Sequence, residues 1–340
     1  MRLARVFCIA VLMSCASSSL ANHILGGNIS YDCLGGNSYG VTLSIYKDCF
    51  GATAAPSMEN LFFFPSGCGL LPFSATSNLT EVVEVSDLCP SELANSSCNG
   101  GFIPGVELIQ YYIEVTLDPS CVWEISWSAG DWNYFQNMDN STLPSAYLWA
   151  TVDPSVGCYD SVELNSDVLN STPVPYSCTG DAVSYILDVD NPNGYTLSYG
   201  FTCPLTGGGA NAPMTEPCTE TIPGITIDPL TGQIDFISPA AFGNYLVGVE
   251  IQMFDGVTYI GSVFEDIAFT VRLCDTSSTV FTLPEIQWIS AGGNQISDTE
   301  AEVCVGDSLC INVEASNTNI FRTITLTSDF ATLFPGADFI

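Results

Sequence analysis

Two acidic residues stand among tryptophans: Glu124 and Asp131 lie beside Trp123, Trp127 and Trp132. Two carboxyl groups flanking a glycosidic bond suffice for glycoside hydrolysis. Indole faces stack on sugar rings, so Trp123, Trp127 and Trp132 are candidates for a sugar-stacking surface. The alternation Trp123-Glu124-Ile125-Ser126-Trp127 also fits a strand that buries its tryptophans, and it favours a core. With 37 acidic residues, neighbouring carboxylates arise by chance, so the pair alone does not define a catalytic site. Nucleophilic Ser-His-Asp or Cys-His chemistry needs a positioned base. The single histidine, His23, is expected two residues into the exported chain, a poor place for one. No P-loop or dinucleotide fingerprint is present. The chain reads as a non-enzyme.

A second candidate lies at residues 188–194, DVDNPNG. Asp188, Asp190 and Asn193 are calcium-ligand residue types, but their spacing is not that of an EF-hand. The same segment reads as a Pro-Asn-Gly turn between two strands. No cofactor is expected other than calcium at this turn.

The 15 cysteines are the third resource. Cys8 and Cys15 fall in the first 21 residues. The other 13 are spread along the chain without a C-x-x-C pair, which speaks for disulfides and against zinc. Short loops bearing Pro, Gly or Asn make Cys89–Cys98, Cys203–Cys218 and Cys304–Cys310 the expected pairs. Thirteen is odd, so at least one cysteine is expected outside an intrachain pair.

Charge narrows the partners. Against 37 Asp+Glu stand 5 Lys+Arg, a net charge of −32. Arg2 and Arg5 belong to the leader, leaving Lys47, Arg272 and Arg322. Such a surface repels phosphate backbones and anionic membranes, so no nucleic acid is expected as partner. The expected partner is a surface ligand, glycan or protein, of unknown identity. Residues 1–21 have a basic start, a short apolar stretch and a Ser19-Leu20-Ala21 cleavage site, the parts of a signal peptide. Leu12-Met13-Ser14-Cys15 offers a second reading, a lipoprotein anchored through Cys15. No later apolar run is long enough for a spanning helix. The protein is expected to be secreted or on the outer cell surface.

The elements that must position these residues are strands. Alternating β-branched and aromatic runs recur at 38–46, 108–117, 123–127, 147–152, 182–189, 196–201, 245–254, 264–273, 308–315 and 323–327, separated by Gly, Pro, Asn and Asp. The expected fold is all-β, as tandem immunoglobulin-like or cadherin-like β-sandwiches. After the leader, the punctuation suggests three modules: a cysteine-rich domain over 22–171, a sandwich over 172–275 opening on the stiff Thr172-Pro173-Val174-Pro175, and the start of a further Ig-like or PKD-type module over 276–340, expected to be truncated. Within residues 223–236, PGITIDPLTGQIDF, Ile225 and Ile227 alternate, Asp228–Gly232 turn, and Ile234 and Phe236 alternate back, which is a β-hairpin.

Several segments in order carry a resemblance: HILGGNISY (23–31), YGVTLSIYKDCFG (39–51), Leu88-Cys89-Pro90 with Cys98-Asn99-Gly100-Gly101 and Pro104-Gly105-Val106-Glu107, PVPYSC (173–178), the hairpin above, and DIAFTV (266–271). Over residues 22–275 the chain resembles the N-terminal region of large Bacteroidota surface proteins with Ig-like or PKD-type repeats. Those proteins usually end in a gliding-motility-type domain for type IX secretion. The resemblance implies adhesion or surface structure. It departs in two places: no sorting domain occurs up to Ile340, and Ser128-Ala129-Gly130-Asp131-Trp132-Asn133 stands where the family's Cys-Cys-Arg-Asn stretch is expected. At the Asp188 turn the family often has a further carboxylate where Tyr195 stands here. The bacterial resemblance also makes the sequons at Asn28, Asn78, Asn95, Asn140 and Asn170 chance products of an Asn/Ser/Thr-rich surface.

Overall fold

Strand-forming runs punctuated by Gly, Pro and Asn produce an almost purely β protein. The computed structural model describes residues 23–50, 54–86, 88, 93–138, 145–164, 174–187, 189–207, 222–273, 286–290, 294–297, 300–302 and 309–313. Contacts divide the chain into two units at Arg272/Leu273. In the first unit the strands are β1 (Ile24–Gly35), β2 (Ser38–Asp48), β3 (Met58–Ser66), β4 (Phe73–Glu84), β5 (Val106–Thr116), β6 (Val122–Asp131), β7 (Ser145–Val152), β8 (Glu163–Leu164), β9 (Tyr176–Cys178), β10 (Ala182–Ile186), β11 (Val189–Asp190), β12 (Thr196–Thr202), β13 (Leu205–Thr206), β14 (Thr226–Ile227), β15 (Gln233–Ile237), β16 (Gly243–Asp255) and β17 (Thr258–Arg272). The only helical pieces among the described residues are two 3-10 turns, Leu93–Asn95 and Ser97–Asn99.

Twelve of these strands form one sheet in the order β12-β16-β17-β1-β2-β5-β4-β3-β6-β7-β13, with β9 added to β17. Every pairing is antiparallel except β9 with β17. β16 covers one edge of β17 from Thr258 to Val271. The other edge is shared in turn by β7 at Gly261–Val263, by β1 at Asp266 and by β9 at Thr270–Arg272. Because β17 touches both β1 and β7, the pairings return on themselves and wrap a single sandwich-like core. Its largest fully buried side chains include Trp132, Tyr31, Tyr39, Tyr111 and Phe63. Residues 22–171 and 172–275, expected as two modules, therefore share one hydrogen-bonded sheet: β17 and β16 come from the second stretch, yet β17 closes the sheet of the first.

β17 is the central strand. Both of its faces are buried from Ile260 to Val271, which is why its sequence, TYIGSVFEDIAFTVR, loses the apolar/polar alternation of a one-sided strand. β1 can lie against β17 because of Gly26, and so close to β2 because of Gly27. A methyl group at Gly26 would meet the Asp266 carbonyl oxygen, and one at Gly27, where φ is 152°, would meet that of Ser44. Gly26→Ala is expected to destabilise the protein by about 2–3 kcal/mol, since backbone on backbone has no side chain to give way. Urea unfolding measures this, with Gly36→Ala, which meets nothing within 4 Å but sits at φ 59°, as the strain-only comparison.

The hairpin read from 223–236 is present as β14 and β15, with Ile227 opposite Ile234. Asp228 organises its turn: Oδ1 accepts from Leu230 N at 2.8 Å and Thr231 N at 3.1 Å, and Gly232 takes φ 71°. These bonds hold the Asp228 carboxyl below its usual pKa. β15 also pairs with β10, and this small sheet lays Tyr185 and Phe236 edge-on against Phe269 of β17.

The second unit contributes β18 (Ile286–Ser290), β19 (Asn294–Ser297), β20 (Glu300–Glu302) and β21 (Leu309–Val313). They pair as β18 with β21 and β19 with β20. Residues 323–327, expected as a strand, lie outside the described residues.

Candidate functional site

The tryptophan region is built on β6 and the segment after it. Trp123, Trp127 and Trp132 are all buried, at 3%, 2% and 1% exposure. Each indole N–H is satisfied from within: Trp123 by Asp118 O at 3.0 Å, Trp127 by Glu59 Oε2 at 3.1 Å and Trp132 by Leu205 O at 3.3 Å. The sugar-stacking reading is therefore corrected, because none of the three offers a ring face to solvent. Glu124 alternates to the other side of β6, where Oε1 accepts from Tyr147 O–H at 2.7 Å. Asp131 ends β6 opposite Ser145, and its side chain is outside the described set.

The calcium candidate falls at one end of the sheet, beside the disulfide Cys33–Cys158. Asp188 lies outside the described residues. Asp190 stands directly opposite Glu163 in the β8–β11 ladder. Asn193 turns its amide nitrogen outward to Asp160 Oδ2 at 2.8 Å, and Asp160 Oδ1 accepts from Cys33 N at 2.7 Å. Desolvation, and then the neighbouring Asp160, raise the Asp32 pKa; Glu163 is raised by desolvation and then by Asp32 and Asp190. Asn193 thus serves as a donor to a carboxylate. Among the described residues no group of three or more His, Cys, Asp or Glu side chains is placed to hold a metal ion. The turn itself forms as read, with Gly194 N donating to Asn191 O at 3.1 Å and Gly194 at φ 69°.

The cysteines depart most from expectation. Cys98 is bonded to Cys49, which corrects the expected Cys89–Cys98 pair. Cys89 lies outside the described residues. Proximity along the chain misled here: β2 delivers Cys49 to the loop before β5, where Cys49 N donates to Gly105 O at 3.0 Å. Cys33–Cys158 and Cys68–Cys121 complete three long-range staples, spanning 125 and 53 residues. Cys178 and Cys203 are also disulfide-bonded. Cys218 and Cys304 lie outside the described residues, and Cys310 is on β21, where side chains are not described.

His23 precedes β1 with φ 48°, and its carbonyl accepts from Asp48 N at 3.0 Å. Of the sequons, Asn28 is buried, with Nδ2 donating to Glu265 Oε2 at 2.6 Å, so the folded chain hides it. Asn78 and Asn95 are exposed, and Asn140 and Asn170 lie outside the described residues.

Glu265 was not named from the sequence, and Asp266 only as the first residue of DIAFTV, with no role given to either carboxyl. They are adjacent on β17 and buried to 1% and 6% exposure. The signal was available: two carboxyls interrupt an otherwise apolar run, VFEDIAFTV. No helix among the described residues is long and apolar enough to cross a membrane. No family model, curated protein or solved structure matches the chain.

Proposed function

We propose that this chain is an adhesion or structural module of a bacterial surface protein, acting outside the cell without turnover of its own. The observation that carries the reading is the set of three long-range disulfides, Cys33–Cys158, Cys49–Cys98 and Cys68–Cys121. Such bonds persist in oxidising surroundings, and together they tie strand ends and connecting loops into one rigid body. Rigid sheets with tied loops suit load-bearing and contact-making surfaces. The N-terminal leader read from residues 1–21 supports export, either as a secreted chain or as a lipoprotein on Cys15. The strongly acidic composition supports a protein or neutral-glycan partner.

Beads coated with the exported chain are expected to adhere to bacterial cells or their extracellular matrix, and to lose adhesion once the disulfides are reduced. Adhesion no greater than that of albumin-coated beads removes the adhesive reading. The same preparation, incubated with a panel of polysaccharides and peptides, is expected to consume none of them. Turnover that disappears in Glu124→Gln or Asp131→Asn would make the chain a hydrolase instead.

A further inference from the structure

Two of the sequence segments singled out above meet at one place: HILGGNISY lies on β1 and DIAFTV on β17. Their contact is the seam that closes the sheet, and it rests on a single registered pair, Gly27 with Asp266. At that point β17 places two successive carboxyls, which alternate to its opposite faces.

The surroundings of each are specific. Glu265 sits in the row Val263, Ile267, Phe269 on the face covered by the β10–β15 sheet. Asn28 Nδ2 on β1 donates to its Oε2 at 2.6 Å. The titratable groups that act on it are Tyr46 on β2, Tyr185 on β10 and, from the opposite face of its own strand, Asp266. On β16 the residue opposite is Val249. Asp266 points the other way, over Gly248 of β16. The place a methyl would take at Gly248 is 3.1 Å from Asp266 Oδ1 and 2.9 Å from Thr202 O. Among the described residues no cation acts on either carboxyl, and burial alone acts on Asp266. Burying an ionised carboxylate without a cation is costly, whereas a protonated one keeps its hydrogen-bonding capacity without charge.

We propose that Glu265 and Asp266 are a proton-held lock on the β1–β17 seam: protonated, they let β1 close onto β17; ionised, they open this seam ahead of the rest of the sheet. Burial pushes both carboxyls well above their usual range, and for Glu265 only the Asn28 bond pulls the other way. The sign follows. In the unfolded chain both titrate near pH 4. Below that pH both states are protonated and stability is full. As pH rises toward the folded-state values the unfolded state alone has released its protons. The unfolding equilibrium constant then grows by about tenfold per pH unit for each carboxyl. The lock is strongest in mild acid and weakens toward alkaline pH, opposite to the usual behaviour of carboxylates that are paired in the native state.

The test uses the full exported chain, its Glu265→Gln and Asp266→Asn variants, and high salt to screen the general repulsion of an acidic surface. Urea midpoints of the unmodified protein are expected to fall from about pH 5 to about pH 8, and each variant is expected to flatten that fall. Equal slopes in all three proteins overturn the proposal. Infrared spectra need no variant: a protonated-carboxyl C=O stretch is expected in the native protein at neutral pH and should vanish on unfolding, and its absence there also overturns the proposal. Finally, amide exchange at Gly26–Ile29, referenced at each pH to Leu61–Phe63 on β3, is expected to accelerate as pH rises. A constant ratio would remove the seam from the account.

Discussion

Replacing Cys33 and Cys158 together by serine is expected to lower the stability of the protein by about 5 kcal/mol. The bond closes a loop of 125 residues, and the entropy returned to the unfolded chain grows with the logarithm of that length. The folded state loses little by comparison, because hydrogen bonds already hold the same two segments in place. Cys33 N donates to Asp160 Oδ1 at 2.7 Å, Tyr31 N to Ser161 Oγ at 2.7 Å, and Ser161 N to Tyr31 O at 2.6 Å. The double variant therefore should keep its fold and show its loss in the urea midpoint. Removing Cys49–Cys98 or Cys68–Cys121, with separations of 49 and 53 residues, is expected to cost about 4 kcal/mol each. A domain's whole stability is about 5–15 kcal/mol, so loss of any two staples, about 8–9 kcal/mol together, should remove more than half of even a large margin. If the Cys33–Cys158 variant proves the mildest of the three, loop length is not what these bonds contribute.

The same staples show where local reading stopped. Cys89–Cys98 looked favourable because short loops close easily, but the sheet order β2-β5-β4 brings Cys49 beside Cys98 from half a domain away. Pairing across a sheet depends on strand order, which the sequence does not display. Strands with strong alternation were legible: β2, β5, β7, β12 and β16 lie where their patterns place them. β1, β3 and β4 were not. Gly26-Gly27 makes β1 read as a break, although Gly26 is what admits β17 and Gly27 what admits β2. β3 carries Pro65. β4, FSATSNLTEVVE, is exposed along most of its length and so lacks an apolar face. The all-β class was plain from composition and punctuation. The sharing of one sheet by residues 22–171 and 172–275 was hidden, because only β17's doubly buried face hints that it is central. Similarly, Glu265 and Asp266 were given no role in a chain with 37 acidic residues, where one more pair carries no signal until its burial is known.

Trp127→Ala and Trp132→Ala are expected to cost about 3–5 kcal/mol each and to leave any polysaccharide binding by the remaining folded protein unchanged. Both side chains are sealed in the core. Trp132 packs edge-on against Phe135, with centroids 6.1 Å apart, and gives its N–H to Leu205 O. Removing it opens a cavity and leaves a carbonyl without its donor. Trp127 adds an electrostatic component. Its N–H donates to Glu59 Oε2, and this bond holds down a carboxyl that burial pushes up. Trp127→Phe keeps most of the volume but removes the donor, so it should cost less than Trp127→Ala while raising the Glu59 pKa further. A raised carboxyl pKa in the folded state means stability lost as pH climbs above the unfolded-state value. The Phe variant should thus fall further behind the unmodified protein at neutral pH than in mild acid. Chemical denaturation at the two pH values measures this directly. A Trp127→Ala protein that unfolds at the same urea concentration as the unmodified chain, yet no longer binds a polysaccharide that chain retains, would return these tryptophans from the core to a sugar-binding surface.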